Sequence, residues 1–380
     1  MAQKRTIFEE TGAEKAAAPA PRRTGVIDQS NRGARRAIRV WLMILFALVV
    51  VMIAVGGLTR LTDSGLSITE WRPVAGALPP MNAADWQTEF DKYRAIPEYQ
   101  LQNKGMSLAE FKFIYWWEWG HRQLGRVIGL VWAVGFFGFL LARNIPPGWT
   151  LSLLSLGVLG GLQGAIGWWM VASGLTGAML DVASYRLAIH LGLAFVILGV
   201  IAWFALHLGR TERDLMQARR AREPRLQGHA SWLAALAFLQ ILIGALVAGI
   251  DAGRNYTDWP LMAGAFLPPD MWQIAPAWRN LFENDGTVQF LHRIAGYLVF
   301  LLGLVVWSRS RRSAYTATKR AFDWIAVILF AQLVVGIVTV MNSAPWQLAI
   351  LHQLLAVLLW VLILRGRHLA QYPIAQSVRG

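Results

Sequence analysis

The sequence predicts an all-α integral membrane protein, with eight transmembrane helices forming two parallel-repeat four-helix bundles. Three observations carry this. Of the 380 residues, 56% are hydrophobic, and the mean hydropathy is +0.41, a membrane composition. Apolar runs of about 20 residues, long enough to cross the hydrocarbon core as helices, lie at 38–58, 120–142, 150–172, 187–208, 231–250, 288–307, 322–341 and 346–364. The second four runs also repeat features of the first four. The chain has no cysteine, which excludes disulfides, thiolate catalysis and iron–sulfur ligation.

In chain order, residues 1–36 are polar, basic and rich in Ala and Pro. They lack the apolar core and small-residue cleavage site of a signal peptide and are expected to form a disordered cytoplasmic tail. The first span leads into Gly56-Gly57-Leu58-Thr59-Arg60, then a loop carrying Trp71 and Pro79-Pro80. The second opens on Glu118-Trp119-Gly120-His121-Arg122, the third holds Gln163 and Gly167, and the fourth opens on Leu187-Ala188-Ile189-His190. A basic linker, 209–228, follows. The fifth span ends in Ala248-Gly249-Ile250-Asp251, before Arg254 and a loop with Trp259 and Pro268-Pro269. The sixth opens on Gln289-Phe290-Leu291-His292-Arg293, the seventh holds Gln332 and Gly336, and the eighth carries His352. A cytoplasmic tail, 367–380, closes the chain. The duplicated unit thus covers 37–208 and 229–366, pairing Gly56-Gly57 with Ala248-Gly249. Four spans is an even number, so both copies share one orientation, unlike the inverted repeats of many transporters.

The formal charge of +14 is topogenic and does not indicate nucleic-acid binding. Basic residues gather in the N-terminal tail, in 209–228 (Arg210, Arg213, Arg219, Arg220, Arg222, Arg225) and after the sixth span (Arg309, Arg311, Arg312, Lys319, Arg320). The alternate loops are neutral or acidic. By the positive-inside rule both termini are cytoplasmic, and the long loops 59–118 and 251–287 lie outside. The expected location is the cell inner membrane, with some attraction of the basic loops to anionic lipid.

His121, His190, His292 and His352 each stand just inside an apolar run that enters from the outer face. An imidazole within a bilayer is costly and functional by default. A single one need do no more than hydrogen-bond a neighbouring helix. Four at matching depth in a duplicated frame predict two bis-histidine haem sites, one per half. His207, His229 and His368 lack repeat partners and read as interfacial residues at cytoplasmic helix ends. Arg122 and Arg293, each following a histidine, are candidates to pair with haem propionates or to anchor at the interface. Arg60 and Arg254 are further candidates. The outer loops with Trp71 and Trp259 are expected to lid the two sites.

The halves differ at one telling place. Glu118 precedes His121 by three residues and shares its helix face, whereas Gln289 stands before His292. A buried carboxyl suits proton transfer, so the N-terminal half is expected to do chemistry and the C-terminal half to hold a permanent haem. Against this, Glu118 could lie outside the bilayer or simply pair with Arg122.

Gly56-Gly57-Leu58-Thr59-Arg60-Leu61-Thr62-Asp63-Ser64-Gly65-Leu66-Ser67, Glu118 to Arg126, and the later His292-Arg293 and His352 resemble the haem A synthase family over about 37–366. The resemblance implies oxidation of the C8 methyl of haem O to a formyl group, by two hydroxylations and a dehydration, to give haem A for cytochrome oxidase assembly. It implies that His292 and His352 ligate a haem b cofactor, that His121 and His190 hold the substrate haem, and that Glu118 is catalytic. The missing cysteines match the family's cysteine-free branch. Expected partners are haem O, haem O synthase, an electron-transfer protein and membrane lipid, with no nucleic acid; a homo-oligomer is compatible with these features. A di-haem b-type electron-transfer cytochrome would explain the histidines equally well, but not the Glu118–Gln289 difference. A transporter leaves four imidazoles without a task.

Overall fold

The computed structural model describes residues 26–177 and 179–375. Eight long helices dominate it: α1 Val26–Leu61, α2 Leu108–Leu141, α3 Thr150–Val171, α4 Ser184–Leu208, α5 Pro224–Gly249, α6 Asp285–Ser310, α7 Thr316–Met341 and α8 Trp346–Gln371. Each contains a window apolar and long enough to cross a membrane, and the chain is a multi-pass membrane protein.

In the first four helices, α1 packs on α2 and α4, and α3 bridges α2 and α4. In the second four, α5 packs on α6 and α8, and α7 bridges α6 and α8. The two groups meet through α1, α4, α5 and α8. One apolar core runs through that seam, with Ile38, Leu42, Phe195, Leu198, Leu233, Phe322 and Ile363 at 1% exposure or less. Trp360 on α8 donates its indole N–H to the Phe195 carbonyl on α4, satisfying a polar group that would otherwise be stranded in an apolar setting. Outward-facing Leu130, Val134, Phe137, Leu298, Leu301, Val327 and Phe330 are exposed. In a membrane protein such residues meet lipid.

Three departures of the helix bounds from expectation matter here. The polar tail expected over 1–36 is helical from Val26 on, as a continuation of α1; residues 1–25 and 376–380 lie outside the described residues. The basic linker 209–228 folds a helix over Glu212–Arg220 with a Thr211 capping box and then enters α5 at Pro224, ahead of the apolar run expected from 231. The third is α2, which starts at Leu108, twelve residues before the predicted 120. Ser107 and Glu110 form a capping box there, and Phe111, Ile114 and Tyr115 are buried against a loop helix over Ala83–Arg94. Trp86 of that helix packs edge-on to Tyr115 at 5.0 Å. His121 is therefore the fourteenth residue of its helix, whereas His190, His292 and His352 are within the first eight.

The register between the halves also differs from the expected pairing of Gly57 with Gly249. α1 ends at Leu61 and α5 at Gly249. Two residues beyond each helix stands an aspartate in the left-handed region, Asp63 at φ 48° and Asp251 at φ 53°. Thr62 and Ile250 make the same backbone bond, to Leu58 and Leu246. These landmarks set Asp63 opposite Asp251 and Gly56 opposite Gly244, one helical turn away from the motif-based pairing.

Candidate functional site

All four intramembrane histidines sit against a glycine of a neighbouring helix. A β-carbon on Gly56 of α1 would lie 3.1 Å from His121 Nε2. On Gly167 of α3, Gly244 of α5 and Gly336 of α7 it would lie 2.8, 2.9 and 2.9 Å from Cε1 of His190, His292 and His352. Glycine alone lets each ring approach the helix so closely.

His292 and His352 face each other with ring centroids 6.4 Å apart. A metal–imidazole nitrogen bond is about 2.0 Å, and the ring centre lies about 1 Å farther on. Two axial imidazoles on one iron thus need centroids roughly 6 Å apart. The residues present fit an iron porphyrin on three grounds: the paired imidazoles of His292 and His352, the glycine cradles of all four rings, and buried polar atoms without partners at His352 Nδ1 and the Oε1 atoms of Gln163, Gln240 and Gln332.

These glutamines are not among the site residues expected from sequence. Gln163 Nε2 lies 3.3 Å from His190 Nδ1 and donates to the His190 carbonyl at 3.0 Å. Gln240 Nε2 lies 3.0 Å from His292 Nδ1 and donates to its carbonyl at 3.0 Å. Gln332 Nε2 lies 3.3 Å from His352 Nε2. Each glutamine stands four residues before a cradle glycine, on the same helix face. That Gln-x-x-x-Gly spacing is the signal by which they could have been found.

Glu118 is 2% exposed. Its Oε2 accepts from Ser67 Oγ and from the Ile68 N–H, both at 2.7 Å. Its Oε1 accepts from Arg122 Nη2 at 2.6 Å and Nε at 3.0 Å. The Arg122 pairing weighed from sequence is therefore present, but within a buried site. Arg122 also donates to the carbonyls of Ile68 and Glu70 at 2.8 and 3.0 Å, and Trp71 stacks on Trp168 of α3. Arg126 grips the carbonyls of Arg72 and Pro73. Together these fasten the loop against the middle of α2 and line a cavity of about 350 Å³ bounded by Ile68, Glu70, Arg72, Lys92, Arg122 and Arg126.

On α6 an amide, not a carboxyl, stands three residues before the histidine. Gln289, 2% exposed, donates to the Ala252 carbonyl at 2.7 Å. Arg293 donates to Gln289 Oε1 and to the Tyr256 and Leu261 carbonyls, all at 2.9 Å, while its Nε has no partner. Trp259 donates to the Tyr297 hydroxyl. Between the halves, Arg60 binds Asp63 and Asp251 at 2.9 Å and Asp181 at 3.6 Å, so Arg60 ties loops together. Arg254 pairs with Asp251 at 3.6 Å. At the opposite end, His207 and His368 pack with ring centroids 5.1 Å apart beside Trp203 and Tyr372. His368 stands in the last turn of α8 and is 2% exposed, packed within the protein.

A family model described as cytochrome oxidase assembly protein matches residues 39–364. The haem A synthase of Dinoroseobacter shibae is 71% identical over 100% of this chain and 99% of its own length. That of Ruegeria pomeroyi is 66% identical over the full length of both, and one from Cereibacter sphaeroides 61% identical over 99% of this chain and 98% of its own. Similar along almost its whole length to these proteins, the chain belongs to the haem A synthase family.

Proposed function

We propose that this chain converts haem O to haem A for cytochrome oxidase assembly, oxidising the C8 methyl to a formyl group through two hydroxylations and loss of water. The observation that carries the reading is the buried carboxyl of Glu118, one turn from His121, where the other half has the amide of Gln289. In this reading the chain is a duplicated four-helix unit. His121 and His190 of 37–208 hold the substrate haem, and His292 and His352 of 229–366 hold a haem b. That cofactor, when bound, supplies electron transfer.

The protein's own contribution is binding, orientation and a proton. The glycine cradles let the histidines approach one axis. Glu118, fixed from three sides, takes up and returns a proton as the substrate alcohol forms and the diol loses water. Arg122 keeps one Nη1 N–H uncommitted to the loop, and Arg293 keeps its Nε, so each can meet a propionate. The loops over both sites limit water. The basic end of the bundle faces the cytoplasm of a bacterial inner membrane. Haem O synthase upstream and an electron-transfer partner complete the expected setting.

Extraction and chromatography of the haems from purified protein test this. Haem O or haem A beside haem B supports a synthase; haem B alone, however well supplied the cell is with haem O, refutes it.

A further inference from the structure

Three of the four histidines have a glutamine on the ring, and the fourth does not. Counting four residues back from each cradle glycine gives Gln163, Gln240 and Gln332, but Met52 before Gly56. The structure places Met52 where Gln240 stands in the other half. A β-carbon on Gly125, four residues after His121, would lie 3.6 Å from Met52 Cε, and one on Gly296, four residues after His292, would lie 3.2 Å from Gln240 Nε2. Among the described residues no side chain hydrogen-bonds the His121 ring. That ring is also turned. Its Nε2–Cδ2 edge lies against Gly56, whereas the other three present their Cε1–Nδ1 edge to their glycines.

When one imidazole nitrogen binds iron, the other carries a proton. An acceptor for that N–H fixes the ring and strengthens the ligand, and its loss typically weakens metal affinity about 10–100-fold. In this structure Nε2 of Gln163, Gln240 and Gln332 is the amide atom nearest the ring; with the amide turned end for end, Oε1, which has no partner here, becomes the acceptor for the N–H of an iron-bound ring. A methionine thioether is a weak acceptor at best. The two sites thus differ in how firmly one ligand is backed.

We propose that Met52 is a positioning residue that makes the N-terminal haem site exchangeable: by leaving the His121 ring without an amide acceptor, it lets haem substrate enter and haem product leave, while Gln240 retains the haem of the other half. This rests on the proposed function. It adds that the distinction between substrate and cofactor is written into the residue behind one histidine as well as into Glu118.

The test uses full-length protein in detergent, mixed with excess apomyoglobin as a haem acceptor. Loss of each pigment is followed by chromatography, and the low-spin absorbance by spectroscopy. Met52→Gln is expected to slow loss of haem O and haem A about tenfold or more and to sharpen the low-spin band, with haem B loss unchanged. Met52→Leu, which keeps the shape and offers no acceptor, is expected to match the unmodified protein. Gln240→Met is expected to speed haem B loss about tenfold or more. Unchanged haem O and A release in Met52→Gln overturns the proposal, as does pigment loss in Met52→Leu, which would make the sulfur itself a ligand. If Met52→Gln does not assemble, unchanged haem B loss in Gln240→Met overturns it. Protein holding haem B alone, unaltered by His121→Ala, sinks the functional reading and this proposal with it; haem O bound normally but released at the unmodified rate from Met52→Gln sinks only the proposal.

Discussion

Glu118 and Gln289 occupy the same place before their histidines and hold their loops with opposite polarity. The carboxyl of Glu118 accepts from the Ser67 hydroxyl and the Ile68 N–H; the amide of Gln289 donates to the Ala252 carbonyl. Both then accept from an arginine four residues on. A carboxyl therefore cannot be exchanged for an amide in either half without reorienting a backbone group. Each loop is built for its own partner.

Replacing Glu118 by Gln is expected to abolish haem A formation while leaving haem B bound. Gln can still accept from Arg122 through its oxygen, although its amide nitrogen cannot serve as the second acceptor. Glu118→Ala should be harsher, because it removes the charge partner of Arg122 and leaves the Ser67 hydroxyl and the Ile68 N–H without their acceptor. Pigment analysis of the two variants separates chemistry from folding. Normal haem A in Glu118→Gln would remove the carboxyl from the reaction.

His292→Ala or His352→Ala is expected to strip haem B from the purified protein. Among the described residues, His292 and His352 have ring-to-ring contacts only with each other. Spectra of membranes holding equal amounts of protein would show the low-spin signal lost in either variant. Full retention of haem B would reverse the assignment of the two halves.

The glycine cradles give a purely steric expectation. A β-carbon on Gly336 would meet His352 Cε1 at 2.9 Å, closer than carbon atoms pack, so Gly336→Ala must push the ring aside. Haem B should bind weakly or in high-spin form, with normal protein levels in the membrane. Gly160→Ala, where nothing lies within 4 Å, is the control and should behave as unmodified protein. Equal spectra for the two variants would show that the ring has room to retreat.

Hydropathy makes the eight spans legible, because each helix must present an apolar surface to lipid. The start of α2 is not legible, since Glu110, Lys112 and the aromatic cluster 115–119 dilute the apolar signal, and only packing on the helix over Ala83–Arg94 explains why that stretch is helical. The register of α5 against α1 escapes the motifs for a physical reason. A shift of four residues is close to one turn, so Gly57 fits Gly249 on the same helix face almost as well as the true offset does. That shift hides Gln240, which it aligns with Leu48 in place of Met52. The four histidines and Glu118 stand out because ionisable groups are conspicuous in apolar runs. The glutamines do not, because a lone amide in a helix has too many ordinary uses.

Glu98, in a short loop helix over Pro97–Leu101, supplies a pH-dependent expectation. It is 3% exposed, and its Oε2 has no partner. Burial, then the charges of Asp181, Glu118 and Asp63, push its carboxyl up to about 8 from 4.5. The folded protein thus keeps this proton where the unfolded chain has lost it. Between pH 4.5 and about 8 folding gains a proton, so the stabilising contribution of Glu98 is full below the lower value and falls as pH rises, by about 1.4 kcal/mol per unit, until both states are ionised. The loop 62–107 should accordingly become more open to protease between about pH 6 and about pH 8.5, measured on protein in detergent. Glu98→Gln, neutral throughout, should flatten that profile and leave haem B content unchanged. A profile equally steep in Glu98→Gln would trace the pH response to other groups around Arg60, of which Asp181 is also held above the usual carboxylate range by burial.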